Sequence, residues 1–413
     1  MRVVHVPRRF APSHWGGTET CILEVCKRLR RDGHETWIAC PDALTARPLE
    51  RIQGVPVRRF PFFYPYLHLT TEACYQLDLS GGNMFSFQLM RALWKWPRLE
   101  LVHLHTGRRT GAIGRYVAMK RRIPYVVSLH GGLYDVPSVT QSAPPHPAAG
   151  HLEWGKVLGW WVGSHRVLED ASAIICVGRA EHHAVSCRHP GSRVVHLPHG
   201  VDTDRFASGD GDGFRRQLGI PPDAHLLVTV GRIHPHKNQA LLVRLLPALR
   251  RQHGDVRLAI IGPITDEACH RTIRQAAAQL PPGTVHLVPG LGADSSALVD
   301  AYHAADCFVL PSLHEPFGIV VLEAWAAGRP VVVSRVGGLA DLVEHGIDGM
   351  VCDSGDEAAF HRSISTLIEN RSLRVSLGMA GWRKARAQFA WDTQVRRLEH
   401  LYEEVVREHP VRA

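Results

Sequence analysis

Three sets of residues in this 413-residue chain have the types and spacing to do chemistry. The segment LHEPFGIVVLEAWAAG (313–328) sets Glu315 and Glu323 in otherwise apolar company. A buried carboxylate is costly unless it is paired or hydrogen-bonded. Such a pair could be the acid and base of a hydrolase, a set of metal ligands, or two grips on a ligand. A helix beginning near Gly318 would leave Glu315 just before it and Glu323 in its second turn. Eight helical residues amount to about 80° of net rotation, so both carboxylates could share one side. The helix start, Phe317 to Ile319, would offer backbone N–H groups to an anion. An apolar helix with one inward Glu suggests recognition of hydroxyls.

The second set is VGRIHPHKN (230–238), where Arg232 and Lys237 follow an apolar strand. Arginine gives planar bidentate contacts to phosphate oxygens and lysine adds a point charge, although a solvated loop could carry the same residues. The third is HWGGTET (14–20), where Gly16 and Gly17 precede a helix. Glycines let backbone approach a ligand, and a helix N-terminus favours an anion. Neither G-x-G-x-x-G at this loop nor G-x-x-x-x-G-K-[ST] anywhere is present. Glycine amides, an Arg–Lys pair, a helix start and two carboxylates together suit a ligand with phosphates and hydroxyls, such as a nucleotide sugar.

The elements that must position these residues alternate. In the second half, HLLVTVGRI (225–233), VRLAIIG (256–262), GTVHLVPGLG (283–292), DCFVLPS (306–312) and PVVVSRVGG (330–338) read as strands. Helical periodicity lies between them, as in NQALLVRLLPALRRQ (238–252). This pattern predicts right-handed βαβ units and a parallel, doubly wound sheet. The first half repeats it with strands at RVVHV (2–6), HETWIACP (34–41), LVHLH (101–105), PYVVSLHG (124–131), AIICVG (173–178) and VVHLPHG (194–200). Its first helix, 18–33, is expected to be capped by Thr18 and closed by Gly33. Two inserts, 60–78 and 134–161, look irregular, the second as a proline-rich loop followed by a Trp-bearing helix. Gly, Asp and Ser accumulate near 199–214, where one α/β lobe should give way to another across a cleft. In such sheets ligands bind beyond the carboxyl ends of the strands, at the switch point.

Composition narrows the partners. Residues 1–197 carry 25 Lys and Arg against 14 Asp and Glu, whereas the remainder carries 23 against 25. A basic first half suits an anionic partner, phosphate or lipid headgroup; no nucleic-acid module is recognisable, so none of that class is expected. Nine scattered cysteines without C-x-x-C argue for reduced thiols. No apolar run reaches the length of a membrane span, and the chain opens directly as a strand, so a cytoplasmic protein is expected. The segments 91–100, 108–122 and 155–166 mix basic and aromatic residues. They are either surfaces that adsorb to the inner face of the cytoplasmic membrane or ordinary helices packed on the sheet.

The motifs GGTE (16–19), SLHGG (128–132), PHGVDTDRF (198–206), GRIHPHKN (231–238) and HEPFGIVVLEAWAAGRPVVVSRVGGLADLVEHGIDGMV (314–351) occur in this order over nearly the whole chain. In this the chain resembles the GT-B-fold retaining glycosyltransferases of the large family that includes sucrose synthase and bacterial mannosyltransferases (glycosyltransferase family four, group one). The resemblance implies two Rossmann-like doubly wound lobes facing across a cleft. Residues 1–200 would form the acceptor lobe and 201–388 the nucleotide-sugar donor lobe, with 389–413 a C-terminal helix returning to the first lobe. It implies that Arg232 and Lys237 hold the donor diphosphate and that Glu323 binds ribose hydroxyls. Glu315 and the amides of Phe317, Gly318 and Ile319 would bind the transferred sugar. Gly16 and Gly17 would close over the phosphates, and His130 would sit beside the sugar. His199 stands where the family often has Asn.

The implied activity is retaining transfer of a hexosyl group, from a UDP-sugar or GDP-mannose, to a glycan or lipid-linked acceptor in cell-surface polysaccharide or glycolipid synthesis. A non-catalytic nucleotide-sugar subunit and a glycosidase using Glu315 and Glu323 are the alternatives. No cofactor is expected. DTD (202–204) and DGD (210–212) spell the D-x-D of metal-dependent glycosyltransferases, but in a linker Asp suits turns and caps. The H-x-H pairs at 103/105 and 234/236 lack companion ligands at motif spacing, so no metal is expected.

Overall fold

A computed structural model describes residues 1–131, 147–292 and 295–409. Gly132 of SLHGG and residues 134–146 of the second insert lie outside the described residues. The chain forms two compact units, Met1–Leu197 with Gln394–Ala413, and Pro198–Thr393.

The first unit holds β1 (Arg2–Val6), β2 (Glu35–Pro41), β3 (Leu49–Ile52), β4 (Val55–Phe60), β5 (Leu101–Leu104), β6 (Tyr125–Leu129), β7 (Ala173–Cys176) and β8 (Val194–His196). They form one sheet in the order β3-β4-β2-β1-β5-β6-β7-β8, parallel except for the antiparallel β3–β4 pair. Helices cover both faces, so strands such as RVVHV and AIIC are apolar on both sides and fully buried along most of their length. The order reverses between β1 and β5, which places a switch point at their carboxyl ends.

The second unit holds β9 (His225–Val230), β10 (Val256–Ile261), β11 (Val285–Val288), β12 (Cys307–Leu310), β13 (Val331–Ser334) and β14 (Met350–Cys352). They form an all-parallel sheet ordered β11-β10-β9-β12-β13-β14, with its switch point between β9 and β12. Trp325, fully buried in helix Ile319–Ala326, donates its indole N–H to the Asp348 carbonyl at 2.9 Å. Gly381, on the long helix Arg371–Gln388, lets the two helices close on that ring, since a Cβ there would stand 2.1 Å from Trp325 Cδ1.

The final helix, Trp391–Glu408, begins in the second unit, where Trp391 N–H bonds the Val201 carbonyl at 3.1 Å. From Gln394 onward it belongs to the first unit. There Glu399 bonds His34 at 2.6 Å and Arg397 donates to the His196 carbonyl at 3.1 Å.

Several local expectations change. The first helix runs Gly17–Arg31 with Gly16, not Thr18, at its N-cap; the Glu19 carboxylate reaches back to accept the Gly16 N–H at 3.1 Å. The first insert contains helix Thr71–Ser80, capped by Thr70 and burying only Leu77, so it lacks the apolar stripe that would announce it. The two D-x-D sequences do serve turns and caps. Asp202 accepts from Arg205 N–H at 3.1 Å, and Asp210 caps helix Gly211–Gln217 through Gly213 N–H at 2.7 Å. Of the three basic, aromatic segments, 108–122 is helix Arg109–Arg121 packed on the sheet, with Arg109 and Arg115 turned inward to Glu153 and Asp170. Helix Lys156–Trp161 instead leaves Val157 and Trp160 more than 70% exposed. Among the described residues no helix is long and apolar enough to cross a membrane.

Candidate active site

The second sheet's switch point collects most of the residues singled out by chemistry. The chain leaves β9 through Gly231, whose φ of 155° is open to glycine, and Arg232 follows at the surface. Among the described residues the Arg232 guanidinium has no carboxylate partner. A short 3-10 turn, Pro235–Lys237, then leads through Asn238, at φ 51°, into helix Gln239–His253. Gln239 is buried and donates its side-chain N–H to the Arg232 carbonyl at 2.8 Å, which fixes the loop behind the arginine. Gln239 carried no motif signal in the sequence; its role depends on the turn.

The chain leaves β12, the neighbouring strand, through the loop that carries Glu315. Leu313 N–H bonds the His236 carbonyl at 2.8 Å, tying this loop to the lysine turn. Lys237 Nζ and the Glu315 carboxylate form an ion pair with both side chains largely buried. The Glu315–Phe317 loop lies against Gly337 and Gly338. A Cβ on Gly337 would stand 2.3 Å from the Glu315 carbonyl oxygen, and one on Gly338 would stand 2.3 Å from that of Pro316. Gly338 N–H donates to the Glu315 carbonyl at 3.0 Å. The glycine pair of SRVGG is thus a close-approach device, signalled in the sequence only by two small residues after a strand.

Gly318 caps helix Ile319–Ala326 at φ 99° and ψ 53°, a left-handed conformation that favours glycine. A helix start leaves its first N–H groups without intrahelical acceptors, so the stretch Phe317 to Ile319 can present donors. Phe317 is buried with its ring edge-on to His199, centroids 5.2 Å apart. Glu323, one turn further, accepts a hydrogen bond from the Tyr302 hydroxyl at 2.6 Å. Burial pushes the Glu323 carboxyl up to about 7, against the opposing pull of the Tyr302 hydrogen bond and the Arg205 charge. The two glutamates therefore have different partners, Lys237 for one and Tyr302 for the other. Tyr302 and Arg205 were not legible as site residues, because only the fold brings them to Glu323.

In the first unit, Gly16 starts the helix beyond β1, and Glu19 is buried beneath it with Arg9 at 3.8 Å. Burial raises the Glu19 carboxyl despite these partners. His130 follows β6, its Nε2 2.9 Å from His105 Nδ1, and burial holds it neutral, down to about 4.

Each α/β unit carries candidate residues on loops at the carboxyl ends of a parallel sheet, where ligands of such sheets bind. Residues 15–205 match the family "Glycosyltransferase Family 4", and residues 211–383 match "Glycosyl transferases group 1". A D-inositol 3-phosphate glycosyltransferase of Salinispora tropica is 30% identical, over 96% of this chain and 83% of the relative. One of Thermobispora bispora is 29% identical, over 95% and 90%. The solved structure of Anabaena HepE in complex with UDP superposes with TM-score 0.74 at 20% identity, covering 98% of this chain and all of that one. Sucrose-phosphate synthase of Thermosynechococcus elongatus gives TM-score 0.76 at 18% identity, over 99% and 100%. The chain belongs to the group 1 glycosyltransferases, family four, and has the GT-B fold. It is an enzyme that transfers glycosyl groups, which sets aside the glycosidase and the non-catalytic subunit.

Proposed function

We propose that the protein is a retaining glycosyltransferase that moves a hexosyl group from a nucleotide-diphospho-sugar without a metal ion. The observation that carries this reading is the switch point of the second sheet, where Arg232, the Lys237–Glu315 pair and the start of helix Ile319–Ala326 lie on adjoining loops. In this reading Arg232 and Lys237 take the diphosphate and neutralise the charge that develops as it departs. Glu315 and the amides of Phe317, Gly318 and Ile319 hold the transferred sugar, beside the lysine that holds its phosphate. Glu323, steadied by Tyr302, accepts the ribose hydroxyls. Retention follows if the departing diphosphate and the incoming hydroxyl use the same face of an oxocarbenium-like centre. As the new C–O bond forms, the acceptor hydroxyl gives its proton to the departing phosphate oxygen, so with the leaving charge met by two cations the step needs no carboxylate base.

The relatives' name makes a phosphorylated inositol the first acceptor to test. The excess of Lys and Arg in residues 1–197 suits a phosphorylated acceptor. The exposed Trp160 and Val157 beside Lys156 favour a second acceptor, a lipid-linked glycan at an anionic membrane surface, on the cytoplasmic face. A thermal-shift screen against UDP-, GDP- and ADP-sugars identifies the donor. Stabilisation by one nucleotide sugar, lost in Arg232→Ala, supports the reading, and no shift with any of them counts against it. Flotation with anionic liposomes at low salt tests the membrane acceptor, and absence of binding removes it.

A further inference from the structure

Arginine collects at the switch point of the first sheet. Arg8 and Arg9 lie on the loop that leaves β1, and Arg108 lies on the loop that leaves β5. All three reach the carboxyl end of helix Thr71–Ser80. Arg8 Nη2 and Arg9 Nη1 both donate to the Asp78 carbonyl at 2.8 Å, and Arg108 Nη1 donates to the Gly81 carbonyl at 2.7 Å. A helix end has carbonyls without intrahelical donors and a partial negative charge, so it attracts cations.

Capping accounts for one N–H of each guanidinium, and each guanidinium has five. Structural arginines elsewhere in the chain are used more fully. Arg215 reaches the Ala304, Pro221 and Ala224 carbonyls and the Asp306 carboxylate, and Arg115 bonds both Asp170 and the Val162 carbonyl. Among the described residues Arg8, Arg9 and Arg108 make one hydrogen bond each, and Arg8 Nη1 is buried with no partner.

The charges are also uneven. Two carboxyl groups face the pair Arg8 and Arg9, those of Glu19 and Asp78. Glu19 comes no nearer to Arg9 than 3.8 Å and accepts the Gly16 N–H, while Asp78 accepts the Tyr64 hydroxyl at 2.7 Å. Burial raises both carboxyls. Burial and the neighbouring Arg9 charge pull Arg8 down to about 10. A guanidinium still stays charged at neutral pH. Three cations therefore meet two carboxyl groups that already serve other donors.

We propose that Arg8, Arg9 and Arg108 form a binding site for a phosphate group of the acceptor. The inference deepens the phosphorylated-acceptor reading above and rests on it. A phosphate carries close to two negative charges and three acceptor oxygens, which match the unused N–H forks and the surplus positive charge. The loops that carry the arginines lie at the carboxyl ends of β1 and β5, where parallel sheets bind ligands. A free phosphorylated sugar alcohol and a phosphorylated lipid headgroup offer the same chemistry.

Two probes of the full-length protein distinguish these sources. One is calorimetric titration with myo-inositol 1-phosphate, with myo-inositol as the control. The other is flotation with phosphatidylcholine vesicles, with and without phosphatidylinositol. Binding of the soluble phosphate assigns a free acceptor, and binding only of phosphatidylinositol vesicles assigns a lipid headgroup. In either case Arg9→Gln and Arg108→Gln should each weaken binding about 10- to 100-fold, the usual effect of losing a hydrogen bond to a charged group. Arg108 is exposed, so its substitution tests the site without disturbing the core. A merely structural role for these arginines would not create a preference for the phosphate over myo-inositol. Binding of neither probe overturns the proposal, as does equal affinity for myo-inositol and its phosphate, or phosphate affinity unchanged in both variants. Phosphate binding without any turnover of UDP-glucose or GDP-mannose would uphold the site and count instead against the proposed function.

Discussion

Arg232 and Lys237 face the same switch point but differ in what already holds them. Lys237 is paired with Glu315, whereas Arg232 has no carboxylate partner among the described residues and lies exposed. Losing either cation should lower kcat/KM by about 10²–10³, the usual cost of removing one preorganised charge from a transition state. Steady-state kinetics of Arg232→Ala and Lys237→Ala check this, and unchanged values would remove the diphosphate assignment. Glu323 gives a pH prediction. Its carboxyl is raised from 4.5 to about 7 in the folded protein. Between those values the native state holds a proton that the unfolded chain has released, so this group's contribution to stability falls as pH rises through the window. In the role proposed for it, accepting ribose hydroxyls, Glu323 acts as a carboxylate, and that form comes to predominate as pH rises above about 7. Nucleotide affinity should therefore rise with pH through an inflection near 7, and Glu323→Gln should flatten that profile in calorimetric titration. These charged residues were legible because they directly follow apolar strands or interrupt an apolar helix. Tyr302, Gln239 and the bonds among the histidines were not, since each contact depends on strand order or a turn that the linear pattern does not contain.

At the scale of elements, the site rests on close backbone approach around one loop. Gly338→Ala would drive a Cβ to within 2.3 Å of the Pro316 carbonyl oxygen and 2.7 Å of Phe317 Cα. The loop must then shift, at a cost of ~1–3 kcal/mol for overpacking. The expected result is a lower melting temperature together with weaker donor binding, because the displaced residues carry both Glu315 and the helix start. A melting temperature and Kd equal to those of the unsubstituted protein would mean that the loop is not held by this contact. The strands of the second unit were readable because β9, β10, β12 and β13 are buried on both faces and so appear as continuous apolar runs. Other elements hid for physical reasons. β3 is half exposed, β14 has only three residues, and helix Thr71–Ser80 buries a single side chain.

For the whole molecule, the notable feature is that the first unit is completed by the end of the chain. Leu398, Leu401, Tyr402 and Val405 are buried, and Tyr402 bonds His103 beside the switch point. Fully burying each such apolar side chain contributes ~1.5–3 kcal/mol, a large part of the ~5–15 kcal/mol that stabilises a typical protein. Deleting residues 394–413 should therefore strip hydrogen-exchange protection from β1, β5 and β6 while β9, β10 and β12 keep theirs. Equal protection in both units would show that the helix is dispensable. The division into two α/β lobes was visible in the alternation of strands and helices and in the Gly- and Asp-rich stretch near 199–214. The two switch points were not, because strand order is set by crossover connections and not by the strands' own residues.

The proposed reaction is transfer from a nucleotide-diphospho-sugar with retention at the anomeric carbon. It is tested most directly by proton NMR of the reaction on an inositol phosphate or lipid-linked acceptor, following the anomeric signal of the product as nucleoside diphosphate is released. One glycosidic product per diphosphate is expected, with the donor's own anomeric configuration. A product of inverted configuration, or glycosylation without diphosphate release, would contradict it.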